Sequence, residues 1–225
     1  MSEMLTIERQ EEALASLRPE ALLGDEGSHQ QRKSLEMRTR IIESAIDCLV
    51  EKGYAGLSAN DAARRAGASR GAVHHHFSNR MQLVAAVVEF TFYRRMELFL
   101  DLYNRSAKPS DPDRAIRAAA LLFWKTLRTR EYAAYIELAL ASRTDEEVKR
   151  HFLETSQRFD RVWTEQMSAM FPHWREPLRI VTDFALSAYT GLIIQQGVLG
   201  TGRRSAKVRE LITTVITKLQ RGELP

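Results

Sequence analysis

His74, His75 and His76 stand in a row and invite a metal-site reading. Adjacent residues on a helix point about 100° apart, so three in succession cannot converge on one ion. His76 is therefore assigned to a core, His74 and His75 to a surface, and no metal or cofactor is expected. His151 and His173 stand alone and read as structural or solvated. Cys48, the single cysteine, sits beside an apolar helix face and reads as a small packing residue, because a reactive thiol needs exposure and a lowered pKa. The chain offers no nucleophile elbow, phosphate-cradling glycine loop, metal-spaced cluster or carboxylate pair, so an enzyme is not expected. Ser69-Arg70-Gly71 is different in kind. A helix starting there presents free N–H groups and a positive dipole end, which suit phosphate. Gly71 removes a side chain where that helix start could approach a groove or a backbone.

The elements that would position these residues are helical. Ile41, Ile42, Ala45, Ile46, Leu49 and Val50 recur on one face of a helix that begins near residue 34 and stops at Lys52-Gly53. Ser58 caps a short helix over 59–66, with Asp61 three residues on, close to a capping box. That helix ends at Gly67, and Ser69 caps another over 70–76. Three helices within 50 residues, the last two joined by a glycine turn, make a helix-turn-helix pattern. Asn79 starts a long helix over 80–106. Further helices are expected at 112–129, 131–142, 145–170, 175–198 and 205–221, punctuated by Asp111-Pro112, Pro172, Pro177, Gly197, Gly200 and Gly202. No stretch alternates with period two, so the expectation is all-α with about nine helices. Upstream, 5–23 could form a short helix broken at Pro19, and Gly24 to Gln31 reads as a polar linker. The segment 1–33 is expected to be a flexible extension, followed by a DNA-binding domain at 34–80 and a larger domain at 81–225.

Charge supports a polyanion partner. Residues 32–80 carry nine basic and five acidic side chains, whereas 1–31 carry two basic and seven acidic. No apolar run approaches the roughly 20 residues that span a bilayer, and a lone cysteine suits a reducing compartment, so no membrane partner and a cytoplasmic location are expected.

The stretch Thr39 to Leu83 resembles the DNA-binding domain of the TetR/AcrR family of bacterial transcriptional regulators. Lys52-Gly53-Tyr54 closes the first helix, Ala62-Ala63 sits in the second, Ala66-Gly67-Ala68-Ser69-Arg70-Gly71 makes the turn, and His76-Phe77-Ser78-Asn79-Arg80 leads into the fourth. The recognition helix of such a motif lies in the major groove with its N-terminal residues nearest the bases. That geometry selects Arg70, Ala72, His74 and His75, with Ser69 and Gly71 at the helix start. The resemblance implies that Ser58 and Asn60 touch phosphates, that Arg80 clamps the backbone on the far side, and that Arg40 helps from the first helix. It also implies that Gly53, Tyr54, Ala63, Val73, His76 and Phe77 hold the three-helix core. Two positions depart from the family's habit: His74 stands where Tyr is common, and Ala62 where a larger aliphatic is usual.

Beyond residue 83 the resemblance is architectural. It implies a small-molecule effector pocket between helices, for which Met96, Phe99, Tyr103, Phe123, Trp124, Tyr135, Phe159, Trp163 and Phe184 are the candidates. It also implies a homodimer through the last two helices, with Phe184, Ala188, Leu192, Leu211, Val215 and Leu219 as interface candidates. The plain alternative is that these residues are simply core. The expected function is a ligand-responsive repressor that binds a palindromic operator on double-stranded DNA as a dimer. The alternatives are a non-DNA-binding adaptor of the same fold and, last, a helical-bundle enzyme.

Overall fold

A computed structural model describes residues 2–23, 28–106, 111–171, 178–200 and 202–223. Pro109, Pro172, His173 and Pro177, together with residues 24–27 of the expected linker, lie outside the described residues. The architecture is all-α: α1 (Ser2–Leu17), α2 (His29–Lys52), α3 (Ala59–Ala66), α4 (Arg70–His76), α5 (Arg80–Arg105), α6 (Pro112–Thr126), α7 (Arg130–Ala141), α8 (Glu146–Met170), α9 (Leu178–Leu199) and α10 (Gly202–Arg221). Short 3-10 turns occupy Glu20–Leu22 and Tyr54–Gly56. Among the described residues there is no strand, and no helix is long and apolar enough to cross a membrane.

Capping side chains start α3, α4, α5 and α6 at the positions the sequence marks. Ser58 accepts from Asp61 N–H and Ser69 from Ala72 N–H, each at 3.1 Å. Asn79 accepts from Gln82 N–H at 2.8 Å, and Gln82 in turn accepts from Ser78 N–H. Asp111 caps α6, with Pro112 in its first turn. Only half of the box at Ser58 forms, because the Asp61 carboxylate turns to Lys52 (3.0 Å) and to Arg64. Two stops require the left-handed region. Gly53 ends α2 at φ 69° and Gly67 ends α3 at φ 63°, where a side chain is disfavoured.

The N-terminal stretch differs from its expectation. The polar run through Gln31 reads as a linker, but Ser28 caps α2 and Gln31 closes a full capping box, with Ser28 N–H donating to Gln31 Oε1 at 2.8 Å. Such a cap contributes about 1 kcal/mol and extends the helix five residues upstream of the expected start. Where a flexible extension is expected over 1–33, residues 2–17 form α1, and Gln10, Ala13, Leu17, Pro19 and Leu22 are buried. The following turn is tied down at two points: Glu20 N–H donates to Glu89 Oε2 at 2.7 Å, and Arg38 donates to the Ala21 carbonyl at 3.3 Å. Burial pushes the Glu89 carboxyl above its usual range, opposed by the Glu20 N–H and by Arg158, whose Nη2 lies 3.6 Å from it.

The chain divides into two compact units, Met1–Glu97 with Thr129–Val162, and Leu98–Arg128 with Trp163–Pro225. The first holds the helix-turn-helix together with α7 and most of α8. Its core beneath α2 consists of Ile41, Ile42, Ala45, Ile46, Cys48 and Leu49, all at zero exposure. Each large aliphatic buried there contributes on the order of 1.5–3 kcal/mol. Burial raises the Cys48 thiol's pKa, the opposite of what reactivity needs. On the flank of α2, Arg130 donates to Asp47 Oδ1 at 2.6 Å and to Glu43, and so clips α7 to the helix-turn-helix. Tyr54 Oη donates to Asp145 Oδ2 at 2.8 Å and makes a second tie, to the start of α8. The second unit packs α9 against α10 and α10 against α6, and Arg221 Nε donates to Asp113 Oδ1 at 3.0 Å.

Candidate nucleic-acid interface

The starts of α3, α4 and α5 surround one hollow of about 530 Å³, lined by Ser58, Asn60, Arg70, Gly71, His74, Asn79 and Arg80 among others. Among the described residues no carboxylate lines it. A concave surface with two guanidiniums, hydroxyl and amide donors and no acid suits a polyanion. Six of the ten DNA-contact candidates therefore meet in one place. Ser69 and His75 are exposed on the same short helix outside the hollow, and Ala72 is half-buried. Val73 and Phe77, at 1% and 5% exposure, plant α4 on the core. Ala62 is fully buried and Ala63 nearly so, which lets α3 approach α2 closely.

Most of the basic surplus of this segment is spent inside the protein. Lys52 and Arg64 pair with Asp61, and Arg65 pairs with Glu51. Arg40 donates to the Ala66 carbonyl and so finishes the end of α3, which is why a side chain at Gly67 would press on its guanidinium. Arg80 donates from Nε to the Leu57 carbonyl at 3.1 Å and from Nη2 to the Tyr54 carbonyl at 2.9 Å. Its Nη1 donates to Tyr54 Oη, and its plane lies 4.3 Å over the Tyr54 ring. Arg80 thus holds the 3-10 turn that leads into α3. Arg70 contrasts with it: exposed at the start of α4, it has no hydrogen-bond or ion-pair partner among the described residues. Sequence reasoning could not separate these two arginines, because the acceptors of Arg80 are backbone carbonyls.

The three histidines also separate. His74 and His75 are exposed, and His76 is half-buried with Nδ1 lacking a partner among the described residues. Burial, then Arg38 and His75, lower the His76 pKa and keep the ring neutral near pH 7. Among the described residues no group of three metal-ligating side chains comes together.

The pocket candidates fall into three places. Phe99, Phe123 and Trp163 line a small apolar cavity of about 40 Å³ in the second unit, with Ala119, Met167 and Val181 among its other walls. Tyr103 adjoins it, its ring 6.4 Å from Phe99 and 5.7 Å from Phe171. Trp124 instead lines a separate cleft on the other side of Tyr189. Met96, Tyr135 and Phe159 belong to the first unit, where Tyr135 and Phe159 pack with Phe92 and Phe159 lies beneath Arg95. Phe184 is half-buried on α9 and lines none of these. Of the wall residues that sequence reasoning missed, Ala119, Ala120 and Ala185 are too small to mark a cavity by type, and Phe171, Val181, Thr182 and Ile216 carry no signal that separates a wall from ordinary core.

Of the interface candidates, Leu211 is 62% exposed, and Phe184, Ala188, Val215 and Leu219 are half-buried. Leu192 is buried at 5% within its own unit. Ile180, Ile194 and Val198, which sequence reasoning passed over, stand out from α9 at 60%, 44% and 76% exposure. With Phe184, Ser187 and Gly191 they repeat at spacings of four and three, the pattern of a helix seam.

Comparison with known proteins agrees with this geometry. A family model described as "Bacterial regulatory proteins, tetR family" matches residues 41–87, which span the helix-turn-helix and the start of α5. An uncharacterized HTH-type transcriptional regulator of Mycobacterium tuberculosis is 26% identical over 194 residues, 84% of this chain and 96% of that one. Among solved structures, a transcriptional regulator from Rhodococcus sp. superposes with a TM-score of 0.65 at 21% identity, covering 82% of this chain and 96% of that one. The multidrug binding protein EbrR, complexed with imidazole, gives a TM-score of 0.55 at 23% identity, covering 85% and 96%. The matched segment coincides with the hollow at α3–α5: over residues 41–87 the chain is similar to bacterial regulatory proteins of the tetR family, and its fold is that of the solved regulators it superposes on.

Proposed function

We propose that this protein is a transcriptional regulator of the TetR family, a homodimeric, ligand-responsive repressor that binds a palindromic operator through the hollow at the starts of α3, α4 and α5. The observation that carries the DNA contact is the acid-free hollow with Arg70 unpaired at its edge. Arg70, His74 and His75 reach bases or nearby phosphates, and Ser58, Asn60, Ser69, Gly71 and Ala72 bring the backbone close to the duplex. Arg40 and Arg80 act chiefly by holding the helices that carry these groups, since their donors are engaged within the chain.

Dimerisation through α9 and α10 supplies the second half-site. The exposed Ile180, Ile194, Val198 and Leu211, with the half-buried Phe184, suit a second copy of the chain, because large apolar groups left exposed on neighbouring helices are characteristic of interaction surfaces. Two recognition helices then lie about 34 Å apart, one turn of DNA. Phe99, Phe123 and Trp163 are the core of the effector site. At about 40 Å³ the cavity holds two or three waters and no drug-sized molecule, so an apolar effector must spread its helices to enter. That is the differential binding that shifts a two-state regulator: the effector favours the spread form and the operator the other. Likeness to a multidrug binding protein supports an apolar or aromatic effector.

The test is a salt titration of the purified protein against DNA from upstream of its own gene, with unrelated competitor present. Competitor-resistant binding with a steep salt slope is expected, and Arg70→Ala should lower affinity about 5- to 150-fold without changing the melting temperature. Undiminished binding by that variant removes the proposed surface. No DNA binding at low salt moves the reading to an adaptor of the same fold.

A further inference from the structure

A second cleft of about 440 Å³ lies in the second unit, apart from the apolar cavity. It is lined by Trp124, Arg128, Gln196, Ser205 and Arg209, with Gly200 and Gly202 at its rim. The Arg128 guanidinium lies 5.8 Å from the centre of the Trp124 ring and that of Arg209 lies 5.7 Å from it. Two cations are thus gathered on one indole, from the end of α6 and the second turn of α10. Among the described residues neither guanidinium has a carboxylate partner, unlike Arg221 in the same unit, which pairs with Asp113. Residues 196–209 contain four basic side chains and no acidic one, and among the described residues no carboxylate lines the cleft.

Both guanidiniums line one cleft with no carboxylate among the described residues between them, and the indole quadrupole contributes only about 0.5–1 kcal/mol per exposed cation. An oxyanion between the two forks would satisfy both with charge-assisted hydrogen bonds, a geometry that guanidinium groups match in carboxylate and phosphate. Among the described residues the rim is open to such a ligand: a Cβ on Gly200 or Gly202 would meet none of them within 4 Å. Gln196 and Ser205 add neutral polar groups beside the cations, and Trp124 adds an apolar wall.

We infer that this cleft is a binding site for a small organic anion, with its carboxylate or phosphate held between Arg128 and Arg209 and its apolar part against Trp124. It is a site distinct from the cavity at Phe99, Phe123 and Trp163. The two are close enough to communicate, because the Tyr189 ring touches both: its centre is 5.3 Å from Trp124 and 6.3 Å from Phe123. Tyr189 is fully buried, and its hydroxyl lies 3.3 Å from Thr213 Oγ1 on α10.

The experiment is isothermal titration of the full-length protein with phenyl phosphate and with inorganic phosphate, at ionic strength held constant with sodium chloride. Saturable binding of phenyl phosphate at one site per chain is expected, tighter than inorganic phosphate, with affinity falling at least about tenfold in Arg128→Gln and in Arg209→Gln. Circular dichroism checks the fold of each variant. Should a glutamine variant lose helicity, Arg128→Lys or Arg209→Lys, which keep the charge and lose the planar fork, must still weaken binding several-fold. Absence of saturable heat up to about 10 mM, heat reproduced by chloride alone, or undiminished binding by the double variant overturns the inference. None of these outcomes depends on DNA binding, so the result stands apart from the operator assay.

Discussion

Replacing Arg80 with Ala separates scaffold from DNA contact more sharply than any other single change. Arg80 holds the carbonyls of Tyr54 and Leu57 at 2.9 and 3.1 Å and stacks 4.3 Å over the Tyr54 ring. A hydrogen bond from a charged donor contributes about 1.5–3 kcal/mol, and partial exposure places these two at the lower end. Adding about 0.5 kcal/mol for the cation over the ring gives a loss of about 3.5 kcal/mol. In a chain of this length each kcal/mol moves the midpoint by about 2–4 °C, so Arg80→Ala should melt about 7–14 °C lower. The Tyr54–Asp145 tie should weaken with it, because the same phenol oxygen accepts from Arg80. The assay is thermal unfolding by circular dichroism beside DNA titration, with Arg70→Ala as the comparison. Arg70→Ala should bind DNA more weakly and melt like the parent. An Arg80→Ala protein that melts within a degree or two of the parent yet loses DNA binding refutes the reasoning, because its guanidinium then acts on the duplex.

Two further perturbations follow from the same structure. Leu211→Glu or Ile194→Glu places a carboxylate on the exposed seam of α9 and α10, and sedimentation should then find monomers with operator affinity reduced at least about 100-fold; a variant that remains dimeric sinks the seam. For His76, burial lowers the folded-state pKa below the unfolded value of about 6.5, so the folded state resists protonation. Its contribution is complete above about pH 6.5 and declines as pH falls toward the folded pKa. Denaturant unfolding at pH 7.5 and pH 5.5 should show a smaller difference between the two in His76→Asn than in the parent, since every other ionisable group is common to both proteins; identical differences would refute the assignment.

The sequence by itself determined the helices and their ends. Capping residues act over three or four positions, so Ser58, Ser69, Asn79 and Asp111 could be read locally, and the glycines at 53 and 67 stop helices for a backbone reason that needs no neighbour. The helix-turn-helix was legible for the same reason, being a local motif of about 45 residues whose spacing is its geometry. One local signal, the Ser28–Gln31 box, was legible in principle and passed over within a polar run. What only the tertiary structure decided is which side chains share a space. Aromatic residues at helical spacing look alike whether they wall a cavity, as Phe123 and Trp163 do, or fill a core, as Phe159 does. Basic residues look alike whether they end on a carbonyl, as Arg40 and Arg80 do, or stand unpaired, as Arg70 does. Those outcomes depend on partners from 20 to more than 60 positions away, where chain connectivity carries no record of contact and packing alone assigns each group its neighbour.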